Sequence, residues 1–201
     1  QEGLAFQVHT TVTKRNYTGI LRITDFVERI GAKAHHIFFL VPTGRGKDLS
    51  DVFIGAAEIE QVLRQVLEKQ KTTALELKPV CAPQFVPLAR SLGLDLRFQR
   101  GCLAGTDYCC ILPNGDVHPC PYLPLKVGNV RQERFSRIWQ DSAIFQRMRT
   151  LDYGGVCAGC AQKRSCGGCR ARAFHGLGDY MAQDPECLFH RDRTDHAQPK
   201  R

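Results

Sequence analysis

The 201-residue chain lacks the features of a membrane or secreted protein. It has no run of about 18 apolar residues, so no membrane-spanning helix is expected. No basic stretch followed by an apolar one opens the chain, so no secretory signal is predicted. Aromatic residues are only 8% of the chain and are not interleaved with Lys and Arg, which argues against a single-stranded nucleic-acid platform. Because the first residue is Gln1 rather than Met, we expect further sequence before it.

The charge and composition are those of a basic globular protein. The chain carries 28 basic and 20 acidic residues, a formal charge of +8, and 43% of its residues are hydrophobic. This surplus suits an acidic partner such as nucleic acid, an anionic lipid surface or a polycarboxylate substrate, although a basic protein without such a partner has the same composition. Residues 191–201 form a basic tail that we expect to be solvated and flexible.

Cysteine is scarce in the first half of the chain and abundant in the second. Nine of the ten cysteines lie between Cys102 and Cys187. Without a secretory signal we expect a reducing, cytoplasmic location, where clustered cysteines bind metal more often than they form disulfides. The change in composition predicts a domain boundary, with one domain at residues 1–98 and a second at residues 99–190.

Residues 1–98 alternate between strand-like and helix-like patterns. Strands are predicted at residues 4–12, 36–41 and 75–80, and amphipathic helices at residues 20–30 and 59–67. The apolar face of the first helix is predicted to comprise Ile20, Ile23, Phe26, Val27 and Ile30, and that of the second Ile59, Val62, Leu63, Val66 and Leu67. Strands separated by helices indicate a parallel α/β sheet. Three strands leave an open edge, so the sequence predicts part of a larger sheet.

The second domain has shorter elements and two groups of cysteines. Asn114-Gly115 predicts a β-hairpin, Gly128-Asn129 predicts another turn, and short helices are expected around residues 138–148. The first group of cysteines comprises Cys102, Cys109, Cys110 and Cys120. The second has the spacing Cys157-x2-Cys160-x5-Cys166-x2-Cys169, followed by Cys187. Paired thiolates at this spacing suit either zinc or [4Fe–4S] clusters, and the number of cysteines does not decide between them.

The cysteine pattern and the surrounding sequence resemble the SPASM domain of radical S-adenosylmethionine (SAM) proteins. The resemblance rests on the segments GCLAGTDYCCILPNGDVHPCPYLPLKVGN, CGGCRARA and GDYMAQDPEC, and upstream on HIFFLVPTGRGK and LELKPVCAP. The chain is most similar to the tetrapyrrole-modifying branch, which acts in heme d1 and alternative heme biosynthesis. The fold implied is the C-terminal half of a partial (β/α)6 barrel, followed by a small irregular SPASM domain with a β-hairpin and short helices.

The resemblance implies two auxiliary [4Fe–4S] clusters and a set of ligands for each. The first cluster would be held by Cys102, Cys120 and Cys169, with Cys109 as the fourth ligand, although the adjacent Cys110 is an alternative. The second would be held by Cys157, Cys160, Cys166 and Cys187. Cys81 is interpreted as a small buried apolar residue. Arg170 and Arg172 are expected to offset cluster charge, with contact to substrate carboxylates as the alternative.

One family feature is missing. The radical SAM signature Cys-x3-Cys-x2-Cys does not occur in the chain, so the resemblance implies that this polypeptide alone is inactive. The complete enzyme would bind SAM and a third [4Fe–4S] cluster through the missing N-terminal half of the barrel. Contacts to SAM are expected from polar residues after the first two strands, namely Thr11, Thr13, Asn16, Thr43 and Arg45.

The implied activity is removal or decarboxylation of a tetrapyrrole side chain. The auxiliary clusters would accept an electron or position the substrate, and a ferredoxin or flavodoxin would supply electrons. The alternatives are a SPASM enzyme that modifies a peptide or protein, and a zinc-ribbon module that binds nucleic acid. The leading interpretation predicts no nucleic-acid partner.

Overall fold

A three-stranded parallel sheet forms the first part of the chain. The computed structural model describes residues 3–189; the predicted tail at 191–201, like His190, lies outside them. Strands β1 (Gln7–Val12), β2 (Ala34–Phe39) and β3 (Glu76–Val80) pair in the order β1-β2-β3. Thr11 pairs with Phe38, and Phe38 pairs with Val80, so the three strands end at the same edge.

Helices cover one face of this sheet. Helices α1 (Ile20–Arg29), α2 (Ala56–Gln70) and α3 (Phe85–Ser91) follow the three strands. All five residues predicted for the apolar face of α2 are buried: Ile59, Val62, Leu63, Val66 and Leu67. The prediction for α1 is only partly right, because Phe26 and Ile30 remain 50% and 43% exposed. Gly31 has a φ of +82° directly after this helix, a conformation that glycine adopts without steric cost.

The cysteine-rich part is built from short elements. Strands β4 (Cys110–Ile111), β5 (Asp116–His118) and β6 (Gly128–Asn129) form an antiparallel sheet in that order. Helices α4 (Phe135–Asp141) and α5 (Ala143–Thr150) come next, and α6 (Arg170–Leu177) follows the second group of cysteines. These elements agree with the small irregular domain predicted from the sequence.

The hairpin at Asn114-Gly115 forms as predicted, with Gly115 at a φ of +90°. The second predicted turn, at Gly128-Asn129, is wrong, because these residues pair with β5 as a strand. The Asn129 side chain donates hydrogen bonds to Asp116 Oδ1 at 2.7 Å and to the Asn114 carbonyl at 3.2 Å. A Cβ atom at Gly128 would lie 2.8 Å from Ile138, so this glycine allows close packing rather than a turn.

The apolar cores extend across the predicted boundary at residue 98. Leu188 packs against the core of the parallel sheet, and Val41 belongs to a core formed mostly by the cysteine-rich part. Gly101 N–H donates to the Ser165 carbonyl at 2.8 Å. Within residues 3–189, no helix is long and apolar enough to cross a bilayer.

Candidate metal centres

Four cysteines from separate parts of the chain line one cavity of about 240 Å³. They are Cys81, Cys102, Cys120 and Cys169. Cys81 directly follows β3, Cys120 follows β5, and Cys169 is the residue before α6. We call this space the first cavity. Three of its cysteines belong to the set expected from the sequence, but Cys81 does not.

Cys109, expected as the fourth member, lies elsewhere. It packs against a small apolar core that contains Val117, Ile138 and Phe145, and the neighbouring Tyr108 lines the first cavity instead. Cys109 and Cys110 have no part in the contacts among the four thiols described above. The Cys81 thiol, in contrast, hydrogen-bonds to Cys169. Cys81 also packs against the apolar core that contains Val41 and Leu123, as expected for a small buried residue.

The four cysteines expected to form the second set line a second cavity together. Cys157, Cys160, Cys166 and Cys187 surround this space of about 20 Å³, and Asp184 and Gln84 also face it. A space of this size admits about one water-sized sphere.

Local turns orient these thiols. The N–H groups of Tyr122, Gln162 and Gly168 each lie 3.4 Å from the Sγ atom two residues earlier, on Cys120, Cys160 and Cys166. Such N–H donors stabilise sulfur that carries negative charge. In the Cys166–Cys169 turn, Gly167 and Gly168 both have positive φ, at +69° and +64°. That conformation explains why two consecutive glycines occur there.

Burial changes the pKa values of these thiols and so affects how readily they bind a metal group. Burial raises the pKa of Cys120 and of Cys166 to about 12. The hydrogen bond with Cys169 and burial raise the pKa of Cys81, whereas the bond from Cys81 lowers that of Cys169 to about 7. Buried thiols of this kind ionise readily only beside compensating positive charge, which metal supplies. The donor sets therefore suit a metal group that is bound by thiolates.

An unpaired donor beside the first cavity points to an anionic occupant. Arg170 lines this cavity, and its Nη2 atom is buried without a hydrogen-bond partner among residues 3–189. Its Nη1 atom donates to the carbonyls of Tyr180 and Ala182 at 2.8 and 2.7 Å, and its Nε atom donates to the Gly168 carbonyl at 3.4 Å. A thiolate-ligated iron–sulfur cluster carries negative charge and sulfur acceptors, so it suits the vacant donor.

One buried carboxylate connects the two cavities. Asp184 faces the second cavity, and its Oδ2 accepts from the Cys169 N–H at 2.8 Å and from Gln84 Nε2 at 3.1 Å. Arg172 binds both oxygens of Asp184, at 2.7 and 3.1 Å, and donates to the Cys81 carbonyl at 3.0 Å. Arg172 thus offsets a buried carboxylate as well as the nearby thiols, and its two contacts hold residues on both sides of the predicted domain boundary.

The residues expected to contact SAM lie at the carboxyl edge of the parallel sheet. The Asn16 side chain donates to the Thr11 carbonyl at 2.9 Å and accepts from the Thr13 N–H at 2.8 Å. Asn16 thereby shapes the loop after β1. Thr43 precedes a 3₁₀ turn after β2, in which Arg45 is exposed. Cys81 ends β3 at the same edge, so the structure brings this edge to the first cavity.

No group of three or more His, Cys, Asp or Glu side chains within residues 3–189 is arranged to hold a single metal ion. The His175 Nε2–H donates to the Tyr122 carbonyl at 3.0 Å, and the imidazole ring contacts the ring of Phe174.

Comparison with known proteins identifies the cysteine-rich region. The SPASM family, an iron–sulfur cluster-binding domain, matches residues 102–170. An AdoMet-dependent heme synthase of Nitratidesulfovibrio vulgaris is 44% identical, with 93% of this chain and 54% of that protein covered. A protein of the same name from Methanosarcina barkeri is 37% identical, with 92% and 56% covered. A mycofactocin maturase of Mycobacterium tuberculosis is 28% identical, with 97% and 53% covered.

Solved structures confirm the fold. SuiB of Streptococcus suis matches with a TM-score of 0.65 at 17% identity, covering 92% of this chain and 46% of that one. The protein anSMEcpe with bound AdoMet and a peptide matches with a TM-score of 0.62 at 15% identity, covering 90% and 53%. The chain spans about half the length of the curated relatives it matches. Residues 102–170 thus match the SPASM iron–sulfur cluster-binding domain, and nearly the whole chain is similar to about half of an AdoMet-dependent heme synthase.

Proposed function

We propose that the chain is the auxiliary-cluster portion of a radical SAM enzyme that modifies a tetrapyrrole side chain. The observation that carries this proposal is the pair of neighbouring cavities, each lined by four thiols. The matched family binds iron–sulfur clusters, which the zinc-ribbon alternative does not explain. Clusters held by cysteine thiolates supply electron-transfer sites.

Seven cysteines of the two expected sets are proposed as ligands on the basis of their shared cavities. Cys102, Cys120 and Cys169 serve the first cluster. Cys157, Cys160, Cys166 and Cys187 serve the second. The ordered turns and their N–H donors hold these thiols, and Arg170 and Arg172 supply positive charge beside them.

The proposed substrate is a tetrapyrrole bearing several carboxylates. The heme synthases named above support it, and the chain's formal charge of +8 suits such a substrate. When a propionate side chain loses its carboxylate as CO₂ after a hydrogen atom has been removed, one electron must leave the substrate. A redox group near the sheet edge therefore has a role in this reaction.

Further partners are proposed for the complete enzyme. SAM would contact Thr11, Thr13, Asn16, Thr43 and Arg45 at the carboxyl edge of the sheet, the edge where barrel enzymes hold their sites. The other half of the barrel would supply the third cluster, and a ferredoxin or flavodoxin would supply electrons. We propose the cytoplasm as the location, since the ten cysteines, all within residues 3–189, form no disulfide there and a reducing compartment keeps such cysteines available for metal.

Metal analysis of anaerobically purified protein tests the cluster assignment. We expect about eight iron and about eight sulfide per chain, because each of two [4Fe–4S] clusters holds four of each. About two zinc without sulfide would contradict the proposal and support the zinc-ribbon alternative.

The substrate assignment requires the complete enzyme. Anaerobic incubation with SAM, a reductant and a propionate-bearing iron porphyrin should release CO₂ and give a product of lower mass. A peptide substrate is the alternative that the mycofactocin maturase relatives favour. Modification of a peptide with the porphyrin left unchanged would replace the tetrapyrrole assignment.

A further inference from the structure

We propose that Cys81, at the end of β3, is the fourth thiolate ligand of the first auxiliary cluster and that Cys109 is not a ligand. This inference rests on the proposed cluster-binding function. It changes the origin of the ligand set, because the fourth thiolate then comes from the parallel sheet rather than from the SPASM domain.

The position of the Cys81 side chain is the first argument. It lines the first cavity together with Cys102, Cys120 and Cys169, and its thiol hydrogen-bonds to that of Cys169. Four thiols around one cavity match the four ligands that a [4Fe–4S] cluster requires. Cys109 is instead packed with Val117 and Phe145 in a separate apolar core.

The backbone at Cys81 is the second argument. Its φ of +62° is left-handed, and Leu151 is the only other non-glycine residue in the described part of the chain with a positive φ. This conformation costs an L-residue about 1 kcal/mol or more and persists where the surroundings enforce it. The Arg172 guanidinium donates to the Cys81 carbonyl at 3.0 Å and is itself fixed by Asp184. This conformation ends the alternating direction of the side chains in β3, and the chain then continues to α3.

Coordination by Cys81 has a consequence for the reaction. It would attach the cluster directly to the carboxyl edge of the sheet, where Thr13 and Thr43 also lie. The same cavity is lined by Lys78, which lies within β3, and by Arg100. An electron acceptor held there would sit beside the edge that binds SAM in the proposed function, next to two cations suited to carboxylates.

Two variants, Cys81→Gly and Cys109→Ala, test the inference. Cys81→Gly removes the thiol and suits the left-handed backbone, so it should fold normally by circular dichroism. After anaerobic reconstitution of the 201-residue chain, we expect Cys81→Gly to hold ~1–4 fewer iron atoms than the wild type, according to whether one iron or the whole cluster is lost. Its electron paramagnetic resonance spectrum should change accordingly. Cys109→Ala, the matched control, should retain the iron content and spectrum of the wild type.

Rescue by a small thiol separates ligation from a structural role. Added 2-mercaptoethanol should restore the wild-type spectrum of Cys81→Gly, because it can supply the missing sulfur. Wild-type iron and spectrum in Cys81→Gly, or loss of iron in Cys109→Ala with restoration by the same thiol, would overturn the inference. Wild-type protein without iron would instead overturn the proposed function on which it rests.

Discussion

At the scale of single residues, His35 shows how one side chain links the sheet to a helix. It is fully buried; its Nδ1 lies 3.0 Å from Thr24 Oγ1 and its Nε2 lies 2.8 Å from Thr10 Oγ1. The Thr24 hydroxyl already donates to the Ile20 carbonyl, so Nδ1 must carry the ring proton and Nε2 must accept. The neutral imidazole satisfies both hydroxyl partners.

This arrangement predicts a loss of stability in acid. Burial, followed by the nearby His36 and His9, lowers the pKa of His35 from 6.5 to about 4. The unfolded chain therefore takes up a proton at higher pH than the folded chain does. The stability that His35 contributes is present above about pH 6.5 and declines as the pH falls toward 4, by up to roughly 3 kcal/mol.

Urea unfolding at pH 8 and at pH 5.5 measures this effect. The wild type should lose more unfolding free energy between the two values than His35→Gln does. Equal losses would show that His35 does not titrate differently in the two states. Acidic groups such as Asp116 titrate in both proteins, so their contributions to the loss of unfolding free energy cancel when the two losses are subtracted.

The ion pair between Arg172 and Asp184 predicts a larger effect. Burial opposes ionisation of Asp184, but Arg172 outweighs it and holds the pKa of the carboxyl below its usual range. Asp184→Asn would leave a buried guanidinium without its counter-charge, which costs about 3–5 kcal/mol. Asp141→Asn, which alters an exposed pair with Arg137, should cost less than about 1 kcal/mol. Chemical unfolding of the reconstituted proteins compares them, and similar losses would contradict the role given to Asp184.

At the scale of elements, the two Cys-x2-Cys turns differ in how much space they leave. A Cβ atom at Gly168 would lie 2.6 Å from Arg170 Nη2 and 2.7 Å from Asp184 Cβ, whereas one at Gly159 meets nothing within 4 Å. Gly168 also needs its φ of +64°. We therefore expect Gly168→Ala to displace the Cys166–Cys169 turn, and with it ligands of both proposed clusters.

Iron content after reconstitution measures this difference. Gly168→Ala should hold less than about half the iron of the wild type, because Cys166 and Cys169 serve different clusters of the two expected. Gly159→Ala, in the other turn, should match the wild type. Full iron in Gly168→Ala would show that the turn tolerates the added methyl group.

The elements also show what the sequence could predict. The i, i+3, i+4 spacing of Ile59, Val62 and Leu63 was enough to place α2 and its buried face. Phe26 follows the same pattern in α1 but remains half exposed, because periodicity does not show where the neighbouring elements end. Gly128 was assigned to a turn because sequence cannot distinguish a glycine needed for close packing from one needed for a positive φ.

The metal sites were predictable to a similar degree. The paired spacing from Cys157 to Cys169 indicates ligands within one short segment, and those thiols do line shared cavities. The ligand role proposed for Cys81 was not predicted, because the other cysteines of its cavity are distant in sequence and a left-handed φ has no sequence signature. Its place directly after a predicted strand, at the edge where barrels hold their sites, was the one available signal.

At the scale of the whole molecule, the two parts of the chain are expected to depend differently on metal. The parallel sheet has an extended apolar core, whereas the core of the cysteine-rich part includes Cys157 and Cys169. Its strands have two or three residues and its helices seven or eight. Elements this short are marginal by themselves, so bound metal should provide much of their stability.

Metal removal should therefore act on one part of the molecule first. After treatment with an iron chelator under reducing conditions, we expect protease cleavage to begin within residues 102–187, while the sheet and its helices resist. Mass spectrometry of the fragments locates the cuts. Initial cleavage within residues 7–91 would indicate that the clusters stabilise the sheet as much as the SPASM domain.

The order of the cysteines along the chain has a consequence for biosynthesis. The cysteines that line the first cavity run from Cys81 to Cys169 along the chain, and those that line the second run from Cys157 to Cys187. The two sets therefore overlap in sequence. Neither set is complete until nearly all of the described chain has left the ribosome, even though the sheet can form during translation. Iron delivery to this protein is thus expected to follow synthesis, with an interval in which a folded sheet carries an unfinished, thiol-rich partner that the cell must protect from oxygen.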